Sequence, residues 1–124
     1  MNVVDSSGWL EYFAEGKNAI FFSRAIQSVE ELIVPTVCIY EVFRRMLVLR
    51  GKEDALQAVG VMSFGKIVEL DRQTALNAAN LANDTKLAMA DSIILATARA
   101  NDAILWTQDE HFKDLDGVKY IEKK

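Results

Sequence analysis

Four carboxylates in this sequence occupy positions from which they could act together. Asp5 directly follows a short apolar run, and Asp109 follows another apolar run after three residues. Glu41 and Asp91 lie instead within apolar stretches of two predicted helices. Because a charged side chain is costly to bury without a partner, these four acids are candidates for one shared site.

If the four carboxylates converge, they are expected to bind cations. Two unit charges about 4 Å apart interact by roughly 4 kcal/mol at an effective dielectric constant of about 20. Four such groups therefore retain protons or bind divalent cations. An all-oxygen ligand set favours the hard cations Mg²⁺ or Mn²⁺. Zinc is not expected, because Cys38 and His111 are the only residues of their types, and His111 is predicted to be a surface residue.

Each carboxylate also has a purely structural interpretation. The three aspartates could cap the N-termini of helices, although Ser6 and Ser7 offer alternative caps for the first helix. Glu41 could point to solvent or pair with Arg44 or Arg45. The joint pattern argues against these alternatives, because two of the acids follow strands and two interrupt apolar helical stretches.

The hydrophobic pattern predicts strands that alternate with helices. Short, continuously apolar runs are typical of a parallel sheet covered on both faces, so we predict a three-layer α/β/α sandwich in a single domain of residues 1–124. If strands one and four flank the point where the strand order reverses, Asp5 and Asp109 meet in one crevice. The predicted strands cover approximately residues 3–4, 32–34, 67–70, 103–106 and 118–121. The first predicted helix ends before Gly16, and the following five cover approximately residues 18–28, 36–50, 53–63, 71–82 and 91–100. A short helical turn is predicted at 110–113.

The composition is that of an ordinary globular protein, with 51% hydrophobic and 26% charged residues. No apolar run is long enough to span a membrane, and the start lacks the pattern of a signal peptide. A single cysteine favours a reducing, cytoplasmic setting. The net charge of −4 is unusual for a nucleic-acid-binding protein. Setting the four candidate acids aside leaves 14 acidic residues against 14 Lys and Arg, so net charge does not exclude an RNA substrate.

Four segments make the chain resemble PIN domains, specifically the VapC-type toxins of toxin–antitoxin pairs. The segments read VVDSS at 3–7, YEV at 40–42, ADSIILATA at 90–98 and LWTQDEHF at 105–112. The resemblance covers essentially the whole chain and departs mildly at Ser92, where the family more often has alanine. It implies a PIN-like sheet of about five mostly parallel strands in the order 3-2-1-4-5, which places strands one and four together at the reversal.

The same resemblance implies a Mg²⁺- or Mn²⁺-dependent endoribonuclease. It assigns Asp5 and Asp91 to the principal metal ion, and Glu41 and Asp109 to a second ion or the attacking water. Thr107 matches a hydroxyl that family members place near the acidic cluster. Hydrolysis of an RNA phosphodiester bond in this family leaves 5′-phosphate and 3′-hydroxyl ends.

The partners that the resemblance implies are an RNA substrate, a small antitoxin protein and a second copy in a homodimer. In this family the C-terminal segment of the antitoxin typically lies across the groove of the toxin and places a basic side chain among the carboxylates. Basic side chains are candidates for contacts to the RNA backbone. Apolar side chains of the second to fourth helices suggest a partner surface, with a fully packed core as the alternative. The basic set is Arg44, Arg45, Arg50, Lys52 and Lys86, and the apolar set is Phe21, Phe22, Val48, Leu49, Val61, Met62 and Phe64.

Three other functions compete with a toxin. A PIN nuclease in RNA processing would have the same residues. A non-catalytic binding module on the same fold is disfavoured because all four acids are present. A phosphoacceptor receiver domain would need paired acids after the first strand, whereas Asp5 is followed by Ser6 and Ser7. A Ser-His-Asp hydrolase is not expected, because His111 has no apparent serine partner.

Overall fold

A computed structural model describes all residues from 1 to 124. Its five strands form one sheet in the order β3-β2-β1-β4-β5, and every pair of neighbouring strands is parallel. The predicted strand order, with strands one and four side by side, is therefore confirmed. The strands are β1 (Asn2–Val4), β2 (Leu32–Pro35), β3 (Lys66–Val68), β4 (Ile104–Thr107) and β5 (Val118–Tyr120).

Six α-helices connect these strands, as the alternating pattern predicts. Two helices lie in each of the first three connections, and one 3₁₀ turn, Glu110–Phe112, follows β4. A second 3₁₀ turn, Val29–Glu31, precedes β2. None of the helices has the length and apolar character needed to cross a membrane. The helices are α1 (Ser6–Phe13), α2 (Ala19–Gln27), α3 (Thr36–Arg50), α4 (Lys52–Met62), α5 (Arg72–Thr85) and α6 (Met89–Ala100).

The core lies around β1 and β2, whose side chains are buried except for that of Asn2, which is partly buried. Large side chains from the connections, including Trp9, Phe22 and Phe112, fill the space against them. Burial of each such side chain contributes roughly 1.5–3 kcal/mol. Gly8 allows α1 to pack this closely, because a Cβ there would lie 2.6 Å from side-chain atoms of both Val4 and Phe22. This close packing places the start of α1 directly beside the end of β1.

Two helices have N-caps that differ from those the sequence offers, although α3 begins and ends at the predicted residues. Pro35, rather than Thr36, occupies the N-cap position of α3, and no side chain caps that helix. Helix α6 begins at Met89, so Asp91 lies within its first turn and is not an N-cap. The N-cap interpretation of Asp91 is therefore wrong. The local sequence does not predict this start, because the N-cap residue is Ala88, whose side chain cannot form a capping hydrogen bond.

The segment between α5 and α6 was predicted to be a polar break from about residue 83. Instead, α5 continues to Thr85, whose hydroxyl donates a hydrogen bond to the backbone oxygen of Leu81 at 2.6 Å. Lys86 ends the helix in a left-handed conformation with φ of 64°. Strand β3 also lies earlier than predicted, because its pairing with β2 runs from Lys66 to Val68.

The predicted partner surface is only partly exposed. Phe22 and Met62 are fully buried, so for these two residues the packed-core alternative is correct. Val48 and Phe64 have 75% and 74% of their surface exposed, respectively. Amphipathic patterning alone could not separate Phe22 and Met62 from Val48, since all three lie on helices that are apolar on more than one face, and Phe64 lies in the turn after α4.

Candidate active site

Asp5 lies at the carboxyl end of β1 and is almost completely buried. One carboxylate oxygen, Oδ1, accepts hydrogen bonds from the backbone N–H of Gly8 at 2.9 Å and from the Ser7 hydroxyl at 2.8 Å. The other oxygen, Oδ2, accepts a hydrogen bond from the Thr107 hydroxyl at 2.6 Å. Asp5 is thus the N-cap of α1, the role that Ser6 and Ser7 were expected to offer. The same carboxylate also joins β1 to β4.

The pKa of the Asp5 carboxyl is raised from 3.8 to about 7, and burial is the largest cause. Hydrogen bonds from Thr107, Gly8 and Ser7 offset part of the effect of burial, and the negative charge of Asp109 adds to it. Near neutral pH, Asp5 is therefore divided between its protonated and ionised forms. A positive charge brought to this position would favour the ionised form.

Asp109 follows β4, and a short hydrogen-bond chain links it to Asp5. The Thr107 hydroxyl accepts a hydrogen bond from the backbone N–H of Asp109 at 2.9 Å while it donates one to Asp5. Oδ1 of Asp109 accepts a hydrogen bond from the backbone N–H of His111 at 2.9 Å and so caps the 3₁₀ turn Glu110–Phe112. Thr107 therefore fixes the positions of both strand-end acids.

Glu41 lies on α3 and reaches α1, where it accepts a hydrogen bond from the Ser6 hydroxyl at 2.6 Å. It forms no ion pair with Arg44 or Arg45, because the single ion pair of the chain joins His111 to Asp109. The alternative in which Glu41 is neutralised by its neighbouring arginines is therefore wrong. This leaves the negative charge of Glu41 beside the other acids.

Asp91 is half-buried in the first turn of α6, and its carboxylate accepts no hydrogen bond from the protein. Its pKa is raised from 3.8 to about 6, first by burial and then by the negative charges of Asp109 and Glu41. His111 has the opposite, smaller effect on this pKa. Asp109 and Glu41 thus lie near enough to Asp91 for their charges to act on its carboxyl.

The thiol of Cys38 lies beneath the same group of acids. Its pKa is raised well above the usual value by burial, and then by the charges of Asp5, Glu41 and Asp91. Cys38 is the predicted core residue, fully buried, with its sulfur 3.8 Å from the backbone oxygen of Val4. The negative charges of Asp5, Glu41 and Asp91 thus all act on this one buried thiol, and the charge of Asp109 acts on the carboxyls of Asp5 and Asp91.

The group of possible metal ligands in the structure contains two of the four predicted acids, Asp91 and Asp109, and one residue that sequence reasoning placed outside the site. Asp91, Asp109 and His111 each offer one ligand atom, and these atoms lie within 4.8 Å of one another. His111 is indeed a surface residue, with 74% of its side chain exposed, but its Nδ1 is 3.0 Å from Oδ1 of Asp109. The two-residue spacing from Asp109 is the signal that could have identified it.

Asn18 is a second residue that sequence reasoning missed. It is buried between α1 and α2, and its side-chain amide donates hydrogen bonds to Oε1 of Gln108 at 2.9 Å and to the backbone oxygen of Glu122 at 3.1 Å. Because Gln108 lies between Thr107 and Asp109, these bonds hold the segment after β4 in place. No sequence motif marks Asn18, which is distant from Gln108 along the chain.

Two grooves flank the acidic cluster. The first contains Glu41 with the exposed side chains of Tyr40, Arg44 and Arg45. The second contains Asp109 and His111 together with Ser7, Gln108, Glu110, Tyr120, Glu122 and Lys123. An extended ligand could therefore reach the acids from either side.

The residues present fit a divalent cation. Carboxylate oxygens dominate the cluster, which suits Mg²⁺ or Mn²⁺. The raised pKa values of Asp5 and Asp91 reflect burial and mutual repulsion that no Lys or Arg ion pair offsets. A bound cation would supply the missing positive charge. Which of the four acids would bind it directly stays a prediction.

Comparison with known proteins identifies the fold of the chain. The family model of the PIN domain matches residues 3–118. A toxin–antitoxin complex from Klebsiella pneumoniae aligns with a TM-score of 0.79 at 21% identity, covering 96% of both chains. VapBC2 from Rickettsia felis, solved with a DNA fragment from its promoter, aligns with a TM-score of 0.76 at 12% identity, covering 98% of this chain and 97% of that one.

A third structure, VapC20 from Mycobacterium tuberculosis, is described as a sarcin-ricin loop cleaving toxin. It aligns with a TM-score of 0.75 at 13% identity, covering 90% of this chain and 92% of that one. No curated protein matches the sequence significantly. At these identities the structural matches establish a shared fold.

Proposed function

Because the chain belongs to the PIN domain family, we propose that it is a divalent-cation-dependent endoribonuclease and the toxin of a VapBC-type toxin–antitoxin pair. The observation that supports this proposal is the position of the acids where β1 and β4 end side by side: Thr107 bonds both Asp5 and the backbone of Asp109, and Asp91 offers a ligand atom within 4.8 Å of one on Asp109. The negative charge of Glu41, on α3, also acts on the pKa of Asp91. The carboxyl ends of strands at such a reversal are where open α/β sheets bind ligands. The structural likeness to toxin–antitoxin complexes and to an RNA-cleaving toxin supports the choice of substrate.

The residues that would hold Mg²⁺ or Mn²⁺ are Asp5, Asp91, Asp109 and Glu41. When bound, the cation would neutralise charge on the scissile phosphate and lower the pKa of a water molecule. Because Asp5 and Asp91 have raised pKa values, they release protons as positive charge approaches. Thr107 keeps its hydroxyl on Oδ2 of Asp5 and so fixes the orientation of that carboxylate.

The carboxylate of Glu41 or Asp109 would accept the proton of the attacking water. Glu41 is held by one hydroxyl, that of Ser6, and Asp109 is held by the backbone and side chain of His111. Each carboxylate keeps an oxygen without a hydrogen bond from the protein. That oxygen is free to accept a proton or to contact a cation.

The RNA backbone would approach through the groove beside Glu41. Arg44 and Arg45 line this groove, are exposed and form no ion pair, so their positive charges are available to phosphates. Tyr40, also in the groove and 63% exposed, offers an aromatic face on which a base of single-stranded RNA can stack. Arg50, by contrast, lines a separate groove and is a weaker candidate for RNA contact.

An antitoxin would bind on the α1–α4 side of the molecule. There, Tyr12, Phe13, Ile20 and Val61 line a partly apolar groove together with Arg50. An amphipathic segment of a small partner could lay its apolar face into such a groove. Exposed Val48, Leu49 and Phe64 support a further surface for the proposed homodimer.

The proposed activity is tested with purified protein and structured RNA in the presence of Mg²⁺ or Mn²⁺. We expect cleavage that stops in excess EDTA and that falls at least about 100-fold in Asp5→Asn. Asp84→Asn is the matched control, because Asp84 is exposed on α5 and forms no hydrogen bond or ion pair through its side chain. Cleavage that continues in EDTA, or that survives Asp5→Asn, would contradict the proposal.

The toxin assignment needs a separate test, because a PIN nuclease of RNA processing would also cleave RNA. Expression of the chain should arrest growth, and co-expression of a neighbouring gene should relieve the arrest. Expression of Asp5→Asn should not arrest growth. Cation-dependent cleavage without any growth arrest would favour the RNA-processing function, and cation binding without cleavage would favour a binding module.

A further inference from the structure

His111 lies where it could contact a bound cation directly, although it is exposed and outside the acidic motif. We propose that its imidazole is a nitrogen ligand of the cation held by Asp91 and Asp109, and that it makes the site prefer Mn²⁺ or another transition-metal cation to Mg²⁺. This inference rests on the proposed function and deepens it, since it names the class of cation that the site selects.

The distances fit a shared ion. Neighbouring ligands of an octahedral cation, each about 2.1 Å from the ion, lie about 3.0 Å apart, and opposite ligands lie about 4.2 Å apart. Nδ1 of His111 is 3.0 Å from Oδ1 of Asp109. The ligand atom of Asp91 completes a set whose members all lie within 4.8 Å of one another. Small side-chain adjustments would bring three donors around one ion.

The local backbone holds His111 at this position. Oδ1 of Asp109 accepts a hydrogen bond from the backbone N–H of His111 at 2.9 Å, which fixes the start of the 3₁₀ turn. The next residue, Phe112, is completely buried and anchors the turn to the core. Because the His111 side chain itself is exposed, its ring can turn toward an ion without displacing any packed neighbour.

The chemistry of an imidazole sets the expected preference. Mg²⁺ takes oxygen ligands and keeps several waters, whereas imidazole nitrogen is a better ligand for first-row transition metals. The four carboxylates alone would not distinguish strongly between Mg²⁺ and Mn²⁺. His111 is the chain's only histidine, so it is the only residue that can supply such a nitrogen.

A competing role for His111 is to hydrogen-bond Asp109 without contacting the cation. That role would keep the carboxylate in position but would place no nitrogen on the ion. The two roles differ in a spectroscopic property of bound Mn²⁺, namely its magnetic coupling to a directly attached nitrogen nucleus. This coupling can be measured on the protein without any RNA and without any activity.

The test is pulsed electron paramagnetic resonance of Mn²⁺ bound to the untagged protein. We expect a nitrogen modulation that changes when histidine alone is labelled with ¹⁵N and that disappears in His111→Gln. Competition titrations should show that His111→Gln lowers Mn²⁺ affinity by roughly 10-fold or more but Mg²⁺ affinity by less than about 3-fold. Because His111 is exposed, the variant should fold like the wild type.

Two results would overturn the inference, and they differ in what else they imply. Mn²⁺ that binds in an Asp5-dependent way without nitrogen modulation would remove His111 as a ligand and leave the proposed nuclease intact. A wild-type protein that binds no more Mn²⁺ than Asp5→Asn does would contradict both the inference and the proposed cation-dependent function.

Discussion

The acids at the strand ends and the acids on the helices are held in different ways. Asp5 accepts three hydrogen bonds, and Thr107 connects it to the backbone of Asp109. On the helices, Glu41 accepts one hydrogen bond from a hydroxyl, and the carboxylate of Asp91 accepts none. The strand-end acids therefore stabilise the local fold as well as adding charge to the cluster. The positions of the helix acids depend on helix packing, and these acids have more freedom to move toward a cation.

This difference explains why the structural and functional interpretations of a carboxylate need not exclude each other. Asp5 caps α1, and Asp109 caps the 3₁₀ turn after β4, yet the charge of Asp109 also acts on Asp5, and Asp109 offers a ligand atom within 4.8 Å of one on Asp91. A strand that ends in a helix cap positions its acid through the backbone itself. Asp91 and Glu41 lie inside helices and have no such constraint.

The largest expected effect is the same for a strand-end acid, Asp5, and for a helix acid, Asp91. These two kinds of acid are the two halves of the site. Asp5→Asn and Asp91→Asn should each lower RNA cleavage by at least about 100-fold, because each removes one negative charge that would hold the cation. Initial cleavage rates at saturating Mg²⁺ measure this effect, with Asp84→Asn as the control. If one variant retains wild-type activity, the acid it replaces is not part of the catalytic set.

The stability of the cation-free protein should fall as pH rises. Unfolded aspartates lose their protons near pH 4, whereas folded Asp91 and Asp5 keep theirs until about pH 6 and 7. Between these values the folded state binds more protons than the unfolded state, so the free energy of unfolding decreases with pH and levels off above about pH 7. We expect Tm in EDTA to drop by on the order of 10 °C between pH 5 and 8.

Saturating Mg²⁺ should remove much of this pH dependence, because the cation replaces the retained protons. Asp5, in the strand-end half, should account for the larger part of the pH dependence, since its pKa is raised further than that of Asp91. Asp5→Asn should therefore flatten the profile in EDTA more than Asp91→Asn does. Thermal unfolding of the three proteins at several pH values checks this, and an equal or reversed effect would contradict the comparison.

The alanine and asparagine variants should rank in opposite orders of stability at Asp5 and at Asp91. Asp5→Ala loses the cap on Gly8 and leaves the hydroxyls of Ser7 and Thr107 without their partner, so it should be about 1–2 kcal/mol less stable than Asp5→Asn. Asp91 accepts no hydrogen bond, and alanine is the better helix former. Asp91→Ala should therefore be at least as stable as Asp91→Asn.

Urea unfolding at pH 8 in EDTA measures these differences, because charge effects are the same for both members of each pair. A large loss in Asp91→Ala relative to Asp91→Asn would show that the helix-borne acid has a structural role comparable to that of Asp5. The two halves would then not differ in the way that their hydrogen bonds indicate.

The smallest effect concerns the hydroxyl that joins the strand-end acids. Thr107→Ser keeps a hydroxyl for Asp5, and we expect cation affinity within about 3-fold of wild type. Thr107→Val has nearly the same shape but lacks the hydroxyl, so it should bind Mg²⁺ roughly 10-fold more weakly. Calorimetric titration of the two variants distinguishes a loss of the hydrogen bond from a loss of packing. Equal affinities would exclude Thr107 as a positioning residue.

The sequence predicted correctly those features whose position depends on one short segment alone. Asp5 and Asp109 follow apolar runs, and a parallel sheet brings the ends of neighbouring strands together. The order of the strands came from a family resemblance, since apolar runs alone do not specify which strands are neighbours. Helix α3, predicted from the Pro35 and Gly51 boundaries, was also correct in both bounds.

The features that were missed depend on contacts between distant segments or on turn geometry. Asn18 contacts Gln108, which is 90 positions away in the sequence, and no motif in either segment predicts the contact. His111 approaches Asp91 only because a 3₁₀ turn folds its side chain back over the cluster. The burial of Phe22 and Met62 likewise follows from how the helices pack and not from their composition.

The central claim is that acids from two strands and two helices together hold one cation site. Anomalous diffraction from crystals grown with Mn²⁺ tests it most directly, because it locates the ion without relying on activity. The account predicts an anomalous peak enclosed by the carboxylates of Asp5, Glu41, Asp91 and Asp109. A peak elsewhere on the molecule, or none at saturating Mn²⁺, would contradict it.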